Sequence, residues 1–267
     1  MLLEWLDIRS LLLFALVFVP LEFLLPIHQK AKVMRRGWVT DVIHFFLSGI
    51  LIRLGLFLLI LAGMRLGMMI VPGSFQDTIR DWPIWVQLPL AVVIADLGFY
   101  LSHRLMHMSP RLWKFHAVHH SSEELDWLAS FRVHPVDQVL VKGTSLTPLF
   151  VLGFSEVAIT MASLFYLWHA LLLHSNVKVS LGPLRWLFAT PEFHHWHHAN
   201  EREAWDKNFA GQLALWDIIF GTAHMPGRMP ETYGVDDDVP EGYLGQLVYP
   251  FQKSEEEVSA AEATPTR

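Results

Sequence analysis

Twelve of the fifteen histidines in this 267-residue chain lie between His103 and His198. They fall in blocks: His103-Arg-Leu-Met-His107, His116-Ala-Val-His119-His120 and His194-His195-Trp196-His197-His198. Folding does not ask for such density, because histidine has modest helix propensity and is only moderately buried. A multinuclear metal site does. Residues three and four apart share a helix face, and neutral imidazole is the commonest metal ligand. The His-x-x-His-His pattern occurs twice, at 116/119/120 and 194/197/198, and a doublet within such a block can reach two metals.

The spacing makes His103, His107, His116, His119, His120, His194, His197 and His198 candidate ligands. His195 is the extra residue of its block and points elsewhere on a helix. His174 joins the candidates because a histidine at the end of an apolar stretch needs a polar partner. His134, in Arg132-Val-His134-Pro135, is open between ligand, support for a ligand and helix cap. His169 falls off the His174 face and reads as a non-ligand, and His28, His44 and His224 read as surface or interface residues. Asp96, seven residues before His103 on the same stripe, needs a reason to sit in an apolar helix. Accepting the outer ring N–H of a ligand histidine would supply one.

An all-imidazole site suits zinc, copper, iron or nickel. There are no cysteines, which excludes disulfides, iron–sulfur clusters and thiolate-ligated haem or zinc. No His-Glu-x-x-His metalloprotease motif occurs, nor the two Glu-x-x-His motifs of a carboxylate-bridged di-iron bundle. Two irons held mainly by imidazole beside a membrane point to dioxygen activation and attack on an unactivated lipid C–H bond.

The elements that must position these residues are membrane helices. The chain is 52% apolar with a mean hydropathy of +0.33, too apolar for an ordinary soluble domain. Its formal charge of −6 gives no footprint for nucleic acid. A bilayer span takes roughly 20 apolar residues. Candidates run from Ser10 to Pro26, from Asp41 to Pro72 and from Trp82 to Ser102. The first reads as a retained helix, because Met1–Asp7 is not basic and no small-x-small cleavage site follows. A fourth region, Val136–Leu173, is broken at Pro148 and at Gly153-Phe154-Ser155 and reads as a membrane-embedded hairpin. Lys30, Lys32, Arg35 and Arg36 place the first loop in the cytosol, and the histidine blocks then converge on that face. Arg53 fits badly in an apolar span: either it faces a water-filled or lipid-head-group site, or Val42–Ile52 lies along the interface. The tail Lys253–Arg267 reads as disordered.

At this point the sequence resembles the fatty acid hydroxylase/sterol desaturase superfamily of integral membrane di-iron enzymes. The resemblance rests on Asp96–His107, Leu112–Ser122, Arg132–Pro135, His174-Ser-Asn176, Thr190–His198, Asn208–Gly211 and Leu215–Thr222, in the family's order. The His-His-Ser-Ser-Glu123 run is also similar to the branch that includes alkylglycerol monooxygenase. The resemblance implies that His103, His107, His116, His119, His120, His174, His194, His197 and His198 take the metal-ligand positions. A tenth ligand or a supporting role is left open among Asp96, His134, His195, Asn176 and Asp217. It also implies two non-haem iron ions, dioxygen as co-substrate, and hydroxylation of a fatty acyl, sterol or related lipid, with desaturation or ether-lipid oxidation as alternatives on the same site. No Gly-x-Gly-x-x-Gly fingerprint is present, so electrons come from a separate carrier of cytochrome, ferredoxin or reductase type.

The expected fold is therefore all-α: an integral membrane helical bundle of about three spans plus the hairpin, with a cytosolic histidine-rich helical cap holding a di-metal site. Residues 1–95 form membrane helices, 96–225 the catalytic domain and 226–267 a C-terminal extension. A histidine-lined metal transporter is the rival, but it would place ligands at mid-membrane. Lateral entry of the lipid is expected past Phe99, Leu101, Phe165, Leu167 and Leu171, with Arg104, Arg111, Lys114 and Arg132 meeting head groups.

Overall fold

The computed structural model describes residues 7–29 and 32–252, so the expected tail 253–267 lies outside the described residues. Those residues are helical and contain no strand, only the isolated bridges Pro26–Val177 and Ala199–Tyr233. The main helices are α1 (Ile8–Leu24), α2 (Trp38–Ile70, with a π-helical turn at His44–Ser48), α3 (Gly73–Arg80), α4 (Ile84–Met108), α5 (Pro110–His120), α6 (Pro135–Leu152), α7 (Glu156–His174) and α8 (Pro191–His197), followed by short helices α9 (Leu215–Ile219) and α10 (Tyr243–Val248). Three of them, α2, α4 and α7, are long and apolar enough to cross a membrane, and the protein is a membrane protein.

Small residues bring the long helices together, since apolar attraction between helices is weak in lipid and close backbone approach must replace it. A Cβ on Gly55, Gly63 or Gly67 of α2 would fall 2.5, 2.2 and 2.7 Å from Val139, Thr147 and Val151 of α6. The constant offset shows that the two helices run parallel. On the other side of α6, Gly98 of α4 lies against the backbone of Thr144 and Ser145, and Ser145 Oγ donates to Ala95 O at 2.6 Å. There the order reverses, so α4 runs antiparallel.

The hairpin forms, with its turn at Gly153 (φ +90°) rather than at Pro148: α6 continues through Pro148 to Leu152, and Ser155 caps α7. Gly153 has no room for a side chain, because a Cβ would lie 2.6 Å from Gln76 of α3. The C-terminus of α4, the start of α6 and the C-terminus of α7 therefore share one end of the bundle. There α5, α8 and the loops after α8 form a cap. Phe14 and Phe18 of α1 pack on Trp127, Phe131 and Trp168.

Two basic residues sit differently from expectation. Arg35 is buried and paired with Asp41 and Asp126, and Arg132, expected at lipid head groups, is buried against Asp41 at 2.6 Å. Both are structural cations of the cap, so Arg35 adds no free charge to the first loop.

Candidate metal centre

The cap gathers nine histidines into two adjacent groups. His103 and His107 of α4, His116 and His120 of α5 and His197 of α8 form the first; His119, His174, His194 and His198 form the second. Within each group one ring nitrogen per residue lies within 4.8 Å of all the others. The repeated His-x-x-His-His blocks divide between them in mirror fashion. His116 and His120, one turn apart, serve the first group while His119 turns to the second; His194 and His198 serve the second while His197 turns to the first. Helix starts fix both blocks: Pro110 opens α5, and Thr190 caps α8 by accepting from Phe193 N–H at 3.3 Å, with Pro191 in its first turn.

Outer contacts orient the rings. His103 Nδ1–H donates to Phe209 O (2.7 Å), His119 Nδ1–H to Arg132 O (3.0 Å), His174 Nδ1–H to Ala170 O (2.7 Å) and His197 Nδ1–H to Lys207 O (2.8 Å). His116 Nδ1–H donates to Asp137 Oδ2 at 3.1 Å. Each contact places the proton on Nδ1 and leaves Nε2 as a lone pair. Yet His103 Nε2 faces His116 Nε2 at 2.9 Å, and His119 Nε2 faces His174 Nε2 at 3.0 Å. Two lone pairs at that distance repel unless a cation sits between them. The spacing matches two imidazoles at right angles on one metal, about 3.0 Å apart for bonds of about 2.1 Å. His194 Nε2 faces His174 Nε2 at 3.0 Å and His198 Nε2 at 3.1 Å in the same way, and His107 Nε2 is buried without a partner among the described residues. The donor set thus fits a metal in each group.

Burial and neighbouring imidazoles hold His120, His194, His197 and His198 well below the usual histidine range, and burial brings His119 down to about 4. The rings are neutral at neutral pH and available as ligands.

The remaining candidates do other work. Asp96 does not meet a histidine; its carboxylate accepts the backbone N–H groups of Gln212 and Leu213 at 2.8 and 2.7 Å. Asp217 does the same for Phe209 and Ala210, both at 2.8 Å. Asn208, at φ +58°, reaches Phe193 O and His224 O. These three side chains pin the loop whose Phe209 and Lys207 carbonyls hold His103 and His197, so they act on the rings through the backbone. His134 is the N-cap of α6, accepting from Val136 N–H and donating to Leu247 O. His195 donates to Ser175 O and meets Tyr233 OH, and Asn176 bonds the backbone of His28. His169 bonds Ala189 O. His44 is no surface residue: it is buried against Ser48, Val133 O and Gln246. Asp137, absent from the sequence candidates, is the carboxylate that accepts from a ring of these groups. Its signal was the same as that of Asp96, a carboxylate in an apolar helix, here in the first turn of α6.

Two cavities meet the histidines from opposite sides. One, of about 240 Å³, runs into the bundle from His103, His116, His119, His174 and His194 and is mostly apolar. Phe99, Leu167 and Leu171 line it, whereas Leu101 and Phe165, expected beside them, are 51% and 44% exposed on the outer surface. The other, of about 370 Å³, reaches His107, His120 and His197 between Trp113, Trp205, Asp206 and Asp237.

Comparison with known proteins agrees with this geometry. The fatty acid hydroxylase family profile matches residues 88–222. An ornithine lipid hydroxylase of Rhizobium tropici is 36% identical over 65% of this chain and 53% of its own length. The human alkylglycerol monooxygenase is 36% identical over 48% of this chain and 28% of its own, and a very-long-chain aldehyde decarbonylase of rice is 28% identical over 61% and 29%. The chain thus spans about half or less of the length of these relatives. No solved structure matches. The family match takes in all nine histidines of the two groups and the loop that holds them, and the chain belongs to the fatty acid hydroxylase family.

Proposed function

We propose that this chain is a membrane lipid oxygenase that hydroxylates a C–H bond of a lipid at a di-iron centre held by the two histidine groups. One observation carries the reading: paired lone pairs in each group open onto an apolar cavity inside the membrane bundle. His103, His107, His116, His120 and His197 would hold one iron and His119, His174, His194 and His198 the other. Bound iron would supply the reductive activation of dioxygen. The overall change is C–H + O₂ + 2e⁻ + 2H⁺ → C–OH + H₂O.

The chain's own residues do the rest. Asp137 and the carbonyls of Phe209, Arg132, Ala170 and Lys207 keep Nδ1 protonated and Nε2 aimed inward. The apolar wall formed by Phe99, Val141, Leu167 and Leu171 seats the hydrocarbon beside the histidines and keeps water out. Electrons come from a separate carrier, for which the cavity at His107, His120 and His197 offers the aqueous approach. The family's lipid hydroxylases favour hydroxylation; the similarity to alkylglycerol monooxygenases supports ether-lipid oxidation as a second reading. The helices α2, α4 and α7 cross the bilayer, and the histidine cap lies in the cytosol; residues 96–225 are the catalytic unit.

The test is comparative lipidomics of cells with and without the gene, under ¹⁸O₂. A lipid carrying one added ¹⁸O, absent from cells that express His119→Ala at normal levels, is the expected result. Unchanged lipids would reject the proposal.

A further inference from the structure

The apolar cavity holds two cations that the reading above does not use. Arg53 of α2 and Lys142 of α6 both line it, with Ile52, Leu56 and Val141 among their apolar neighbours. Arg53 Nε and Nη2 are buried without any hydrogen-bond partner among the described residues. Asp7 attracts Arg53 electrostatically but makes no ion pair with it, and its Oδ1 already accepts from the N–H and hydroxyl of Ser10 at the start of α1. Lys142 likewise makes no hydrogen bond or ion pair among the described residues. The carboxylate that acts on it, Asp137, gives one oxygen to His116. Helix geometry explains why that pair does not close: side chains three or four apart meet, and Asp137 and Lys142 are five apart.

A lone charge in the apolar part of a membrane is costly, and two like charges in one cavity more so. The cap shows how this chain treats cations that serve only the fold: Arg35 and Arg132 share Asp41, and Arg35 also takes Asp126. Among the described residues Arg53 and Lys142 are paired with no such carboxylate. What they lack is an anion, and the cavity that presents them is otherwise lined for a hydrocarbon and ends at the histidines.

Resting on the lipid oxygenase reading, we infer that Arg53 and Lys142 form a binding site for the oxyanion of an acidic lipid, a carboxylate or phosphate joined to a long apolar chain, and so select acidic lipids as the substrate class. Arginine offers a planar fork that takes two oxyanion oxygens, and lysine a second positive charge in the same cavity. The apolar chain occupies the rest of the cavity.

The experiment is equilibrium binding to the iron-loaded protein in neutral detergent. Radiolabelled palmitate is competed with hexadecyl phosphate, with hexadecanol and with inorganic phosphate. Palmitate and hexadecyl phosphate should bind at least about tenfold more tightly than hexadecanol, the range expected of a charge-assisted hydrogen bond. Inorganic phosphate at the same concentration should not compete. The double variant Arg53→Met/Lys142→Met should bind all three amphiphiles alike, and Arg53→Lys, which keeps the charge but not the fork, should keep more of the preference than Arg53→Met. If the double variant does not fold, Lys142→Met alone should lower the preference severalfold and Lys142→Arg restore it. Hexadecanol binding as tightly as palmitate, a preference that survives loss of both charges, or equal competition by inorganic phosphate would each overturn the proposal. Iron content, read on the same samples, reports on the oxygenase reading separately: iron bound with no preference for acids rejects only the anion site, and a preference for acids without iron rejects only the oxygenase.

Discussion

Asp137 carries more of the centre than its place in the sequence suggests. It is fully buried, and it takes the outer N–H of His116, which faces His103 across the first histidine group. Replacing it with Asn keeps an acceptor of similar shape but removes the charge. Iron affinity should fall about 10- to 100-fold, measured by competition with a chelator, while His195→Gln, at a residue outside both groups, should leave it unchanged. Protons act on the same rings. Because burial brings His119 down to about 4 in the fold while an exposed histidine titrates near 6.5, the unfolded chain binds protons that the folded chain excludes. The part of the iron-free protein's stability that comes from such rings is therefore full above pH 6.5 and is lost as pH drops from about 6.5 toward 4. Chemical denaturation across that window should show it, and an unchanged midpoint would contradict the burial of neutral rings. At this scale the sequence disclosed the histidines because their density and spacing are local. It did not disclose which acids support them. Asp96 shares the helix face of His103 but meets the backbone of Gln212 and Leu213, whereas Asp137 reaches His116 from 21 positions away.

The helices must hold their spacing to keep the rings in place, and one contact is especially tight. Gly98 of α4 packs on the backbone of α6, where an added Cβ would lie 2.7 Å from Thr144 O. Backbone cannot swing aside as a side chain can. Gly98→Ala should therefore cost about 1–3 kcal/mol, read as a lower midpoint of thermal unfolding in detergent. It should also lower iron content, because α4 carries His103 and His107. Gly73→Ala, which meets open space, should do neither. Apolar runs and turn residues made most elements legible. α1, α2, α4 and the hairpin all lie where composition puts them, and Gly153 makes the turn. Pro148 misled because a proline inside a membrane helix need not end it when neighbouring helices satisfy the freed groups. Arg35 and Arg132 misled because Arg35 pairs with Asp126 and Arg132 with Asp41, each 91 positions away, and no local pattern announces such a pairing.

The molecule as a whole is two-sided. One cavity approaches the histidines from within the bundle, and a second approaches from the cap between Trp113, Trp205, Asp206 and Asp237. Topology follows from which end faces the cytosol, and the absence of native cysteine makes it directly measurable. With Glu124→Cys in the cap and Ser74→Cys at the opposite end, an impermeant maleimide added to intact cells should label only position 74. Labelling of position 124 would reverse the orientation. Composition was enough to read a helical membrane protein, and the spacing of the histidines was enough to read a histidine-rich cap. They could not show that Arg53 of α2 and Lys142 of α6 line one cavity, because 89 positions separate them and only the parallel packing of those helices brings them together. The most direct test of the account is the iron content of active protein purified from iron-replete cells, determined by elemental analysis beside the double variant His119→Ala/His194→Ala. Active protein should hold two irons per chain, falling to about one when the second group is broken, with loss of lipid hydroxylation. One iron or fewer in fully active protein, or zinc that iron cannot replace, would contradict it.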